Sequence, residues 1–405
     1  MIKPELLAPA GDHEQLMMSL TYGADAVYLG GPRFGLRSAA GNFDSAELAG
    51  AVKGCHDRGV KAYVTCNVVL NNDEARDLPA FLEQIAGARA DAVIVSDIGA
   101  LVLARKHAPN VDIHISTQAG VFNFESARAL YDLGASRIIL ARELPLVEIA
   151  RIRDNTPSGL ELEAFVHGAM CMAVSGRCLL SNYLTGRDAN RGQCAQPCRW
   201  KYSLIEEQRP GERFDITEGD GTYIMNSRDL CMIDHIKEMT DAGLSALKIE
   251  GRMKSAYYAA VVTNAYRKAI DAEASGQPVP KVWREELEKV SHREYSTGFY
   301  FDPEGPGQYH GDSMYRSECD VAAIVESCDA DGNAALTQRN KFLRGDKLEL
   351  LTPTDEPVSF IAERLADAVG RELESAPHPM MELRLKLPRY APKYSIIRKY
   401  KNQGQ

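Results

Sequence analysis

Four cysteines, Cys171, Cys178, Cys194 and Cys198, fall in one glycine-bearing run, HGAMCMAVSGRC…GQCAQPCRW, with spacings x6, x15 and x3. Four thiolates can complete the tetrahedral shell of a metal ion or hold an iron–sulfur cluster. Structural zinc favours paired knuckles two to four residues apart, and only Cys194-x3-Cys198 has that form. The wider gaps suit loops wrapped around a bulky cubane, with Gly176 and Gly192 permitting backbone N–H groups near the sulfurs. The competing reading is four buried apolar thiols, since free cysteine is among the most buried residue types. It fits poorly with four of nine cysteines crowded into 28 polar, glycine-rich residues. Cys231 is an alternative ligand. Cys55, Cys66, Cys319 and Cys328 read as structural.

Whole-chain properties narrow the setting. A composition of 45% hydrophobic and 25% charged residues over 405 residues is that of an ordinary globular protein. The net charge of −9 argues against nonspecific coating of nucleic acid, though not against local RNA recognition. Basic residues gather at Arg187, Arg191, Arg199 and Lys201, and again at Lys393, Arg398, Lys399 and Lys401. No apolar run approaches the roughly 18–20 residues that span a bilayer. The start, MIKPELLAPAGDHEQL, lacks the basic flank and apolar core of a signal peptide. The expectation is a cytoplasmic protein without membrane association, in a reducing setting where disulfides rarely persist.

The elements that must position the cysteines follow from hydrophobic periodicity. Strands are expected at Glu5–Ala8, Ala24–Leu29, Lys61–Val68, Asp91–Ser96, Asp112–Thr117, Ser136–Ala141, Leu160–Val166 and Ala246–Ile249. Several are nearly all apolar, as strands buried on both faces of a parallel sheet are. Amphipathic stretches such as Ser45–Asp57, Glu74–Ala88 and Leu144–Asp154 lie between them. Eight such units predict an α/β fold, a (β/α)8 TIM-like barrel. The rival open doubly wound sheet would carry Gly-x-Gly-x-x-Gly after a strand, and none is present. The barrel is expected over residues 1–300, with a cysteine-bearing insert, 168–243, after strand 7. Within the insert, Gln208–Gly221 reads as an exposed excursion and Ser227–Ala242 as a helix capped by Asn226 or Ser227. Residues 301–318 read as a linker, 319–390 as a small antiparallel β-barrel domain, and 391–405 as a basic tail.

Barrel active sites lie at the carboxyl ends of the strands. Those ends carry Asn67, Asp97, Gln118, Arg142, Glu143, His167, Glu250 and Arg252. Arg142 and Arg252 are expected to grip a small dicarboxylate, because guanidinium groups bind carboxylates in bidentate fashion. Gln118 and Asn67 complete the expected substrate contacts. His167, as a proton donor or acceptor, and Glu250 are the expected catalytic residues. Lys248 is expected to point into the helix layer, and Tyr28 and Arg37 to line the mouth. Gly30-Gly31 reads as a tight turn, and Phe342 and Phe360 as core.

The phrases PELLAPAG, YGADAVYLGG, FVHGAMCMAVSGRCLLSNYLTGRDANRGQCAQPCRW, YIMNSRDL and LKIEGRMKS resemble the collagenase-like peptidases of the U-32 family across essentially the whole chain. The layout is most similar to the branch implicated in tRNA hydroxylation. The resemblance implies 5-hydroxyuridine formation at the wobble position of tRNA, with prephenate as co-substrate. It also implies a 4Fe–4S cluster on Cys171, Cys178, Cys194 and Cys198, with zinc as a substitute occupant. The β module is expected to help dock the tRNA. Peptide hydrolysis is the alternative. Against it, the chain has no Gly-x-Ser-x-Gly elbow and no His-Glu-x-x-His motif, and a Cys171–His167 pair is the remaining candidate dyad.

Overall fold

The structure, a computed structural model, describes residues 3–37, 40–202, 204–205, 213–214, 226–303, 305, 307 and 314–401. Seven strands, β1 (Glu5–Pro9), β2 (Ala26–Gly30), β3 (Lys61–Cys66), β4 (Ala92–Val95), β5 (Asp112–Ile115), β6 (Arg137–Ile139) and β7 (Glu161–Ala169), pair in parallel in chain order. The eighth barrel strand, Ala246–Ile249, pairs in parallel with β7 on one side and β1 on the other, closing the barrel. Side-chain oxygens start most of the surrounding helices by accepting otherwise unpaired N–H groups. Asp44 and Asn71 do so in full capping boxes before α2 (Ser45–His56) and α3 (Asn72–Gly87). Asp97, one of the polar strand-end residues, is used this way too: its carboxylate accepts from Ala100 N–H at 3.2 Å to open α4 (Ile98–His107).

The barrel interior carries a charged layer as well as apolar ones. Arg137, almost fully buried on β6, lies 2.7 Å from Glu5, 2.6 Å from Glu161 and 3.1 Å from Glu163. Lys248 joins the same layer through Glu163, at 3.0 Å. The expectation that Lys248 faces the helices is therefore corrected. On a barrel strand alternate residues face inward, and the register shift falls after Lys248, between it and Ile249. Lys248 thus lies on the interior side, under the rings of Tyr28 (4.5 Å) and Phe165 (5.5 Å).

The insert departs from expectation at its return. Asp229–Cys231 forms a strand antiparallel to the extended end of β7, with Asp229 opposite Ala169 and Cys231 opposite His167. Leu230, Cys231, Met232 and Ile233 are all buried, a pattern that suits a strand covered on both faces better than an amphipathic helix. Only Ile236–Asp241 of the expected helix is α-helical, after a short 3-10 turn. Apart from residues 213 and 214, the expected excursion Gln208–Gly221 lies outside the described residues, as does most of Pro303–Gly311.

The C-terminal domain is an antiparallel seven-stranded sheet. Its order is Val358–Ile361, Lys347–Leu351, Ile396–Tyr400, Cys319–Cys328, Asn333–Gln338, Glu382–Lys386, Leu365–Asp367. The reading of 391–405 as a basic tail is thus corrected, because Ile396–Tyr400 lies between two other strands and buries Ile396, Ile397 and Arg398. Arg398 is also the pin between the domains. It lies 2.6 Å from Glu286 of helix α10 (Lys281–Glu286) and donates from Nε to Glu349 at 2.8 Å. Lys289 reaches the same two carboxylates at 2.8 and 3.0 Å. Removing one partner from a buried charge cluster strands the others without compensation. Arg398→Ala should therefore lower the urea unfolding free energy by about 3–5 kcal/mol. A loss under about 1 kcal/mol would show that the interface does not rely on this cluster.

Candidate functional site

A cavity of about 840 Å³ opens at the carboxyl ends of the barrel strands, between them and the cysteine insert. Its wall combines strand-end residues, Asn67, Gln118, Arg142, Lys248, Glu250 and Arg252, with all four cysteines. Eight of the lining residues are Arg or Lys and one, Glu250, is acidic, although the whole chain is net negative. Low-dielectric walls concentrate such a field, which favours a negatively charged occupant.

The cysteine loop is built from short turns fastened to this rim. Asn190 clasps the backbone of Cys178, accepting its N–H and donating to its carbonyl, both at 3.0 Å. Ser181, on helix α7 (Leu180–Thr185), accepts from Ala195 N–H at 3.0 Å and donates to Arg187 carbonyl at 2.7 Å. Arg199 closes the loop, donating to Met170 carbonyl (2.8 Å), Ser227 carbonyl (2.8 Å) and Asn226 Oδ1 (2.7 Å). Glu143, another strand-end residue, accepts from Ser175 N–H at 2.6 Å and so anchors the loop. Arg177 donates to Gln118 carbonyl at 2.7 Å.

All four cysteines are free thiols, with Cys171 and Cys194 exposed and Cys178 and Cys198 half-buried. Burial pushes the Cys198 thiol up, Arg199 opposes this, and Cys171, Cys194 and Cys178 each push it further up. The four sulfurs therefore share one electrostatic environment. Gln196 N–H donates to Cys194 Sγ at 3.3 Å. Among the described residues, however, no three His, Cys, Asp or Glu side chains gather closely enough to hold a single metal ion. A cluster of several irons gives each thiolate its own metal, and that donor set suits four thiols spread around one cavity wall. Cys231 is buried against Tyr266, at 3.9 Å from its hydroxyl, and is not part of the wall.

The other expected residues divide. Arg252 is buried, donates to Thr65 Oγ1 at 3.0 Å and to Asn42, and burial lowers it to about 10. Gly30 clears its space: a Cβ there would lie 2.5 Å from an Arg252 terminal nitrogen. Arg142 stacks on Phe165 at 4.7 Å and donates to Ala169 carbonyl at 3.0 Å, leaving the rest of its fork toward the cavity. Asn67 accepts from Leu36 N–H at 3.3 Å. Gln118 is 1% exposed, and neither its amide nitrogen nor its amide oxygen has a partner. Buried polar groups are nearly always satisfied, so this amide on the cavity wall is available to a ligand or a bound water.

The proton-transfer expectations fare differently. His167 does not reach the cavity. It is 1% exposed and packed among Tyr258, Tyr266 and Tyr295, with Tyr266 Oη 3.3 Å from Nδ1, and burial holds it well below the ordinary histidine range. It is a core residue, and no histidine lines the described cavity. Burial would raise the Glu250 carboxyl, but Arg37, Arg142, Lys248 and Arg252 outweigh it and hold Glu250 below its usual value. Glu250 is thus an anion at neutral pH that organises the cations, Arg37 at 3.4 Å among them, and not a proton donor. Lys254 was not expected here. It lines the cavity, donates to Ser291 carbonyl at 2.9 Å, lies 3.7 Å from the Tyr315 ring centroid, and burial lowers it to about 8. A lysine in the phrase GRMKS just past a strand end was the available signal.

Comparison with known proteins places the chain. The model of peptidase family U32 matches residues 11–309, and that of its C-terminal domain matches 317–398. The chain belongs to peptidase family U32. It is 38% identical to tRNA hydroxylation protein P1 of Bacillus subtilis (strain 168), covering 98% of this chain and 95% of that one. It is also 38% identical to tRNA hydroxylation protein P of Escherichia coli (strain K12), over 93% and 92% of the two chains. A Porphyromonas gingivalis (strain ATCC BAA-308 / W83) protein named collagenase is 36% identical over 77% of this chain and 76% of its own.

Anion binding in this U32 cavity should depend on the Lys254 proton. Below about 8 the ammonium is charged and attracts the ligand; above it the charge is lost. Calorimetric affinity for a small dicarboxylate should therefore fall about tenfold between pH 7 and pH 9. Lys254→Met should weaken binding at pH 7 and remove that step. An unchanged pH profile in the variant would show that Lys254 does not face the ligand.

Proposed function

We propose that this chain is an oxygen-independent tRNA hydroxylase of the cytoplasm, forming 5-hydroxyuridine at the wobble uridine. In this reading Cys171, Cys178, Cys194 and Cys198 hold a 4Fe–4S cluster, and a prephenate-type dicarboxylate is the co-substrate. The names of the Bacillus subtilis and Escherichia coli relatives, similar along nearly their whole lengths, support RNA hydroxylation. The observation that carries the reading is the junction of four free thiols with a cation-lined cavity.

When bound, such a cluster supplies electron-transfer chemistry at the cavity wall. This chain's own residues do the rest. Arg142 and Arg252 bind the carboxylates of the co-substrate, with Lys254 adding a third positive charge near the mouth. Gln118 offers a donor and an acceptor to whichever group enters deepest, and Asn67 flanks it. Glu250 keeps Arg37 and its neighbours oriented, and the apolar wall at Phe165 and Ile139 excludes water.

The collagenase name of one relative keeps peptide hydrolysis as the competing reading. Its expected dyad is not assembled, because His167, the partner expected for a Cys171 nucleophile, is sealed in the core. Nucleoside mass spectrometry separates the two. In a strain without this gene and without other family members, 5-hydroxyuridine derivatives should disappear from tRNA. The wild-type chain should restore them, while Cys194→Ser should not and Arg252→Ala should restore under about a tenth. An unchanged nucleoside profile, with gelatin cleavage by the purified protein, would favour the peptidase.

A further inference from the structure

The cysteine insert carries more cations and exposed apolar side chains than the cavity wall uses: Arg191, Lys201, Val174, Tyr183, Leu184 and Trp200 do not line the cavity, whereas Arg177, Arg187, Arg199, Met172 and Leu179 do. Residues 171–202 contain Arg177, Arg187, Arg191, Arg199 and Lys201 against a single acid, Asp188. Among the described residues Arg191 alone of the five is in an ion pair, with Glu74 at 2.6 Å; the other arginines donate to carbonyl or amide oxygens, and Lys201 has no partner there. The same 32-residue stretch exposes Met172, Val174, Leu179, Tyr183, Leu184 and Trp200, six of the 22 large exposed apolar side chains among the described residues. Tyr183 is 85% and Leu179 78% exposed. Apolar surface costs free energy in water, so such a concentration marks an interaction surface.

The charge pattern says what covers it. Unpaired cations interleaved with exposed aromatic rings are the pattern of single-stranded nucleic acid sites, where phosphates meet Arg or Lys and unstacked bases lie on rings. The C-terminal domain, expected to dock RNA, offers less. Its Arg344, Arg371, Arg389, Lys393, Lys399 and Lys401 each sit in an ion pair, and the exposed Lys341, Lys347, Arg364, Arg384 and Lys386, which have no ion pair among the described residues, are spread over separate strands and turns without the insert's density of exposed apolar side chains. Helix α7, which carries Tyr183, packs on the turn Pro197–Arg199 that leads into Trp200 and Lys201. The two groups of side chains therefore share one surface unit, and Arg187 links it to the cavity wall.

We propose that the outer face of the cysteine insert is the docking surface for a single-stranded RNA loop, with Tyr183 and Trp200 taking unstacked bases and Arg187 and Lys201 its phosphates. The inference rests on the reading of RNA as substrate and adds where that RNA binds. A duplex, with its bases stacked inside, gains nothing from the rings.

The test is fluorescence anisotropy with a labelled anticodon stem-loop and a loopless duplex, using the full chain purified without air. The stem-loop should bind more tightly than the duplex. Tyr183→Ala should weaken stem-loop binding at least about fivefold. Lys201→Gln should reduce the slope of log affinity against log salt by about 0.7. Both variants should keep wild-type iron content and thermal midpoint, which separates lost docking from lost folding. Wild-type affinity and salt slope in both variants would overturn this docking surface and leave the RNA reading standing. If the wild-type chain binds no RNA and instead captures a gelatin peptide, both ideas fail.

Discussion

Arg199 resolves the main mechanical problem of this molecule, which is to hold a long insert against the open end of a barrel. It follows Cys198 directly, yet it donates to the carbonyl just before Cys171 and to Ser227 where the chain returns. One guanidinium thus ties together the two ends and the middle of the cysteine segment. Burial makes its charge costly, and Arg293 nearby adds to that cost, so its hydrogen bonds must be complete. Cys171 and Cys198 are held on one wall by these bonds, Cys178 by Asn190 and the approach to Cys194 by Ser181. Without them, four thiols on separate turns would have no reason to face the same cavity.

That cavity is positive because the fold supplies cations from several strands and only one carboxylate. Arg142 leaves β6's end, Lys248 belongs to the eighth strand, and Arg252 follows it past Glu250. Glu250 cannot neutralise them all, and their combined field keeps it ionised. A small dianion entering the cavity would relieve the repulsion among these cations. Arg177, Arg187 and Arg199 of the insert line the same cavity, so its cations come from the loop as well as from the strand ends.

The fold was legible because each βα unit repeats a small turn before an apolar run, and eight repetitions admit few architectures. The cysteines and the arginines at the strand ends were legible as well, since burying such residue types needs a reason. His167 misled because its position beside the cysteine loop looked functional, whereas the extension of β7 turns it toward the tyrosines of α9 (Ala256–Ala274). Gly168 permits that geometry: its φ of +108° is closed to most side chains, and a Cβ there would lie 2.6 Å from Glu250 carbonyl. Lys248 was missed because the inward parity of a short strand depends on a register shift that the sequence does not display. The return strand Asp229–Cys231 was missed because its partner lies sixty residues earlier in the chain. The buried Arg398 looked like a tail residue, as only its tertiary partners Glu286 and Glu349 explain a cation in the middle of a sheet.

Elemental analysis of protein prepared without air decides whether the insert's thiols hold one polynuclear iron–sulfur centre, as proposed. About four irons and four sulfides per chain are expected, falling sharply in Cys178→Ala and unaffected in Cys231→Ala. One zinc and no sulfide per chain, or iron that survives loss of Cys178, would contradict the proposal.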